Sequence, residues 1–234
     1  MKPKKLKNIA MALLPILLMG CTCSVEPPLQ LDHIVLATNN LDEGIKEFQN
    51  STGLRPTYGG RHANSYTHSA TVALKGNMYV EILAPKDNLD SIPAFFQKIH
   101  GLTPIGFAVS VNDVSRFKRR IETLGFQTNG INNWLRKKTE PEEFQCNFIM
   151  TNDPQLTMNP LFVNWSESAE PSSLESDGSS YLKSLELATP YKEEVEQLFV
   201  SNRTLFQQLK FSKRQQAKIR FALQTPKGLI KFGE

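Results

Sequence analysis

The stretch from Leu31 to Pro85 restricts the fold more than any other part of the chain, because its apolar pattern switches repeatedly between a period of two and a helical period. Leu31, His33, Val35 and Ala37 alternate with Ile34 and Leu36, the pattern of a strand over Leu31–Thr38. Asn40 is placed to cap a helix carrying Leu41, Ile45 and Phe48, which Thr52-Gly53 closes. Gly59-Gly60 marks a turn or bulge. A strand follows over Tyr66–Lys75, then a hairpin turn at Gly76-Asn77 and a strand over Met78–Ala84 in which Tyr79, Glu81 and Leu83 share a face. The result is a strand-helix-strand-strand-strand module (residues 31–85) with His33 on its first strand, His68 on its third and Glu81 on its fourth. A carboxylate on an apolar face requires a partner, which Arg61 or a metal ion would supply. Two imidazoles and a carboxylate on one concave sheet are the donor types of a divalent-metal site with open positions, so His33, His68 and Glu81 are the candidate ligands.

The same order of elements recurs. A short helix over Ser91–His100 leads to a strand at Thr103–Val111, and Asn112-Asp113 caps a helix carrying Val114, Phe117, Ile121 and Leu124. Strands are expected at Trp134–Lys138, Phe144–Thr151 and Leu161–Trp165, giving a second module over residues 103–166. The polar, Ser-rich stretch Ser166–Ser180 reads as a loop. Beyond it, Leu182–Thr189 is a strand, Tyr191–Phe206 a helix, and Ile219–Gln224 with Leu229–Phe232 a hairpin, an incomplete third module over residues 181–234. Leu-Ala-Thr at 36–38 returns at 187–189, an internal echo that supports repetition.

The N-terminus sets the expected compartment. Lys2, Lys4, Lys5 and Lys7 precede an apolar run from Ile9 to Met19, the charged and hydrophobic parts of a secretory signal over residues 1–20 and too short to span a bilayer. Leu18-Met19-Gly20-Cys21 resembles a bacterial lipobox, which implies lipidation at Cys21. Residues 21–30, with Pro27-Pro28, form a stiff tether. Thr22 rather than an aspartate after the cysteine points to the outer membrane, facing the periplasm. The chain holds 27 Lys and Arg against 23 Asp and Glu, but the signal carries four of the lysines and no acid, leaving 23 against 23. A neutral, envelope-directed protein is not expected to bind nucleic acid. Cys146 lies in an apolar strand pattern and reads as a small core residue; a disulfide to Cys23 has no spacing to recommend it. Trp134 and Trp165 read as core or as wall of the concavity.

Leu31-Asp32-His33-Ile34-Val35-Leu36-Ala37, Gly59-Gly60-Arg61-His62, Thr67-His68-Ser69-Ala70 and Tyr79-Val80-Glu81-Ile82-Leu83-Ala84-Pro85 together resemble the glyoxalase-like branch of the vicinal oxygen chelate superfamily. Leu161-Phe162-Val163-Asn164-Trp165 is similar to its closing strand, and Leu223 to Gly228 to its C-terminal hairpin. The resemblance implies an α+β fold of repeated βαβββ modules forming an open half-barrel cup. It implies metal ligands from the first and last strands of two paired modules, which fall on His33 and Glu81 and then on Gly106 and Asn164. Gly106 cannot ligate and Asn164 is a poor donor, so His68 is the natural replacement, with His62 a lesser fourth member.

Two readings of different kinds follow. One is a lyase, isomerase or dioxygenase using Zn, Mn, Ni or Fe, with Glu81 as catalytic base and Arg61, His62, Tyr79 and Asn164 around a small vicinal-oxygen substrate. The other is a non-catalytic lipoprotein that binds a small ligand in a degenerate cup. A third, weaker reading is an envelope interaction protein with a vestigial cup, and a homodimer is compatible with any of them.

Overall fold

The computed structural model describes residues 29–63, 65–87, 91–137, 143–151, 160–165, 177–200 and 202–234. The apolar run from Ile9 to Met19, Cys21 and Cys23 lie outside them. No helix among the described residues is long and apolar enough to cross a membrane.

The first module is β1 (Gln30–Ala37), α1 (Leu41–Thr52), β2 (Thr57–His62), β3 (Thr67–Leu74) and β4 (Met78–Pro85). The side chain of Asn40 accepts from the Glu43 amide, and Gly53, at φ 79°, ends the helix in the left-handed region that a side chain disfavours. The β3–β4 hairpin turns through Gly76 and Asn77, both at positive φ. A second module repeats the order as β5 (Thr103–Ser110), α3 (Val114–Thr123), β6 (Asn132–Lys137), β7 (Glu143–Met150) and β8 (Leu161–Asn164), after a short α2 (Ala94–Gln97). Asp113 caps α3 by accepting from the Arg116 amide, and Val114, Phe117 and Ile121 form its buried stripe.

The modules join in the order β1-β4-β3-β2-β6-β7-β8-β5. The seam between β1 and β5 is long and antiparallel. Among the described residues β2 meets β6 over a short stretch, at Arg61↔Lys137 and His62↔Arg136, with the Ala63 amide donating to the Leu135 carbonyl just beyond. The half-barrel is therefore nearly closed rather than an open cup. Most apolar side chains lie outside it: Ile34, Leu36, Val80 and Ile82 pack with Phe48 of α1 and with Phe117 and Ile121 of α3 in the main core. A smaller cluster inside holds Ala108, Cys146, Val163 and Trp165, flanked by Trp134, Phe148 and Leu161. Cys146 is a buried free thiol.

The C-terminal unit is β9 (Tyr181–Thr189), α4 (Lys192–Phe199), α5 (Arg203–Gln208), β10 (Leu209–Lys213), β11 (Lys218–Thr225) and β12 (Gly228–Phe232). Its sheet order is β10-β9-β11-β12, so the first strand is internal, unlike β1 and β5 within their own modules. The sequence reading places one continuous helix over Tyr191–Phe206 and no strand between it and the hairpin. Instead the helix breaks where Asn202 caps α5 through the Leu205 amide, and β10 pairs in parallel with β9. Phe199 meets Phe107 of β5 and Phe162 of β8, so this unit seals the outside of the barrel.

Candidate functional site

The site is built by strand parity. In the antiparallel β3–β4 register Thr71 lies opposite Glu81 and Ser69 opposite Leu83, while parallel pairing sets His33 beside Tyr79 and Val35 beside Glu81. His33, Tyr79 and Glu81 thus point into the barrel. The β1–β5 register slips between Leu31 and His33, a bulge that leaves Asp32 able to turn toward His33 rather than away from it. On β2 a second slip, between Tyr58 and Gly60, sets His62 on the same interior face as Thr67.

Glu81 is held between two imidazoles. Its Oε2 lies 3.7 Å from His33 Nε2 and its Oε1 3.6 Å from His62 Nε2. All three are buried, at 2%, 3% and 0% exposure. Each ring is fixed by its other nitrogen: His33 Nδ1 is 2.6 Å from Asp32 Oδ1, and His62 Nδ1 is 2.7 Å from Thr67 Oγ1. Each also has an aromatic face against it, Tyr79 stacked on His33 with centroids 4.5 Å apart and Trp134 tilted on His62 at 4.7 Å. Trp165 Nε1 donates to the second Asp32 oxygen at 2.9 Å. A continuous polar chain therefore runs Trp165, Asp32, His33, Glu81, His62, Thr67, and the anchored Nδ1 atoms direct both Nε2 atoms at one carboxylate.

The cavity at this point is lined by His33, Tyr79, Glu81, Trp134, Cys146 and Trp165, among others, and its free space holds about one water molecule.

Three expected participants stand elsewhere. His68 pairs with Ala84, on the barrel's outer face, where Tyr58 meets it edge-on and Asp87 Oδ1 lies 3.9 Å from its Nε2. Burial pushes its imidazole below the ordinary histidine value, the nearby Arg61 adding to that and Asp87 and Asp42 opposing it. Arg61 sits opposite His68 in the β2–β3 register and shares that outer face. Asn164 lies opposite Asn147 and turns away from the interior that Val163 lines; its Nδ2 donates to the carbonyls of Val111 and Asn112. Gly106 lies beside Val35 on the interior side, with open space where a side chain would begin.

The donor set expected for a divalent ion is thus not assembled. Among the described residues, no three His, Cys, Asp or Glu side chains converge closely enough to hold an ion. His33, His62 and Glu81 have suitable donor types, but each carboxylate oxygen faces a different ring. What the arrangement supplies is a buried carboxylate whose two oxygens each face an imidazole Nε2. Asp32 and Thr67 are the positioning residues that sequence reasoning missed. Thr67 was reachable from the hairpin register once His62 was taken as interior; the bulge at Asp32 has no sequence signature.

A sequence model of a glyoxalase-like domain matches residues 31–202. The chain belongs to that family. Among solved structures, a hypothetical protein from Staphylococcus aureus superposes with a TM-score of 0.60 at 13% identity, covering 88% of this chain and 86% of that one. Methylmalonyl-CoA epimerase from Mycobacterium tuberculosis gives a TM-score of 0.45 at 22% identity, covering 61% of this chain and 90% of that one. The S115T epimerase of Streptomyces coelicolor, in complex with 2-nitronate-propionyl-CoA, gives 0.47 at 15%, covering 62% and 100%. At these identities the likeness is one of fold. No curated protein matches the chain. The glyoxalase-like region ends inside the C-terminal unit, leaving α5 and the strands after it outside the matched residues.

Proposed function

We propose that this glyoxalase-like protein is a lipid-anchored isomerase or lyase of the cell envelope that moves a proton on a small oxygenated substrate. The observation that carries the reading is the pair of imidazole Nε2 atoms facing the two oxygens of buried Glu81. Glu81 takes a proton from a carbon next to a carbonyl, and His33 or His62 accepts or returns it through Nε2. Asp32 and Thr67 keep each ring in the tautomer and orientation this needs, and Tyr79 holds the plane of His33. No metal ion is assigned a step, because the described donors do not converge on one point. With space for about one water, a substrate enters only by displacing wall side chains such as Trp134 and Trp165, which favours a compact molecule. The envelope address rests on Cys21 after Leu18-Met19-Gly20.

The test is exchange of solvent deuterium into small hydroxyketones and dicarbonyls, followed by proton NMR. Exchange that is lost in Glu81→Gln and kept in His68→Gln supports the reading. The second reading, a non-catalytic ligand-binding lipoprotein, is favoured by the absence of a donor side chain at Gly106 and by the small cavity. Thermal stabilisation by the same molecules without any exchange would decide for it. Mass spectrometry of the processed N-terminus tests lipidation at Cys21 independently.

A further inference from the structure

We propose that a lysine-lined cleft beside the start of β1 docks on the phosphate headgroups of an anionic membrane surface. The cleft, of about 750 Å³, lies between the first residues of β1, the β3–β4 hairpin, the start of β9 and the α5–β10 junction. Lys75, Lys183 and Lys210 line it, and Gln30, Asn77 and Gln207 add side chains able to donate to phosphate oxygens. No Asp or Glu is among its lining residues. The carboxylate that stands opposite Lys210 in the β9–β10 register, Glu186, is already engaged by Ser212 Oγ at 2.8 Å and by Arg220 Nη1 at 3.4 Å. The lysine charge in the cleft is therefore not neutralised by its own wall. The Lys75 amide donates to the Ser180 carbonyl at 2.8 Å, tying the hairpin to the start of β9 and holding two of the three lysine-bearing elements together.

The place of the cleft supports that occupant. Leu29 and Gln30, the first described residues, form part of its wall, so the chain arrives here from the N-terminal segment. Only eight residue steps separate Leu29 from Cys21, a span of at most about 28 Å. If Cys21 carries lipid, as proposed above, this face is kept close to the bilayer. The inference rests on that reading for its biological setting, but the cleft itself is testable without it. The chain beyond the signal is formally neutral, so attraction to an anionic surface must come from local charge.

The experiment uses the chain from Val25 to Glu234, which contains every described element and lacks Cys21, so a failure of lipidation leaves it untouched. Co-sedimentation is measured with vesicles of phosphatidylcholine alone and of phosphatidylcholine mixed with phosphatidylglycerol. The expected result is salt-sensitive binding to the mixed vesicles only, weakened about fivefold for each of Lys75→Gln, Lys183→Gln and Lys210→Gln, and unchanged when Lys46, Lys98 and Lys218 are replaced together. No binding to the mixed vesicles, equal binding to both kinds, or equal loss in the control triple variant would overturn the proposal. Saturation of the cleft by inorganic phosphate alone, without added affinity for vesicles, would also overturn it and reassign the cleft to a soluble phosphate ligand.

Discussion

Trp165 Nε1 donates to Asp32 Oδ2 at 2.9 Å, joining the residue that follows the last strand of the second module to the first strand of the first. Asp32 is 4% exposed, and its other oxygen holds His33. One indole therefore stabilises a buried carboxylate and, through it, the orientation of a histidine in the proposed site.

Trp165→Phe keeps most of the apolar contact with Cys146 and Val163 but removes this charge-assisted bond. Urea unfolding should show a loss of about 2 kcal/mol, the range for hydrogen bonds to charged groups. Asp32→Asn should couple with it, because the two residues share one network. Additive effects in the double variant would show that the bond contributes little to stability.

Glu81 gives a prediction about metal content. Its oxygens face separate imidazoles, and no three potential ligands converge among the described residues. Protein refolded with zinc, manganese, nickel or iron and then dialysed should retain less than a stoichiometric amount by elemental analysis. Stoichiometric metal that is lost in both Glu81→Gln and His62→Gln would mean that these rings draw together around an ion.

How far the site was legible depends on which strands display their two faces. β1 and β3 are both buried on their two faces, one side packing inside the barrel and the other against the core outside, so neither shows a polar face. In β1 His33 is legible from the Leu31, Val35 and Ala37 that share its parity, whereas β3 mixes Thr, His and Ser over both parities. The β3 pattern carries no information about direction, so the interior placement that the sequence suggests for His68 fails and the residue lies on the outer face. Asn164 failed in a related way, since in the four-residue β8 an offset of one position exchanges interior Val163 for exterior Asn164. β10 escaped notice because Lys210, Ser212 and Lys213 leave only Leu209 and Phe211 as apolar signal, and its place is set by pairing with β9. The module order, by contrast, followed from caps and turns that act locally: Asn40, Gly53, Gly76-Asn77 and Asp113 each do what their chemistry requires.

His68 yields a prediction about pH. Its imidazole is held below the ordinary value of 6.5 chiefly by burial, with Arg61 contributing and Asp87, Asp42 and the Pro85 backbone opposing. The unfolded chain therefore binds a proton more readily than the folded one, so this residue's contribution is complete above about pH 6.5 and is lost as pH falls toward the folded value. Unfolding midpoints in urea should drop between pH 7.5 and pH 5, and drop less in His68→Gln. An identical pH dependence in the two proteins would show that other groups cause it.

Gly44 of α1 faces Thr38, just after β1, and Ile82 of β4. A Cβ there would lie 2.7 Å from Thr38 Cγ2 and 3.3 Å from Ile82 Cγ2. Replacing a helical glycine with alanine ordinarily stabilises by up to about 1 kcal/mol, but the overlap with a fully buried neighbour opposes it. Thr38 cannot simply rotate away, since its Oγ1 accepts from the Asn40 amide at 3.4 Å and donates to the Asn40 carbonyl at 3.1 Å. The overpacking term should prevail, giving Gly44→Ala a net loss of about 1–3 kcal/mol. Thr38→Ser removes the offending methyl and keeps the hydroxyl, so the double variant should recover most of that loss. Failure of Thr38→Ser to rescue would move the cause to Ile82, and with it the point at which the helix rests on β4.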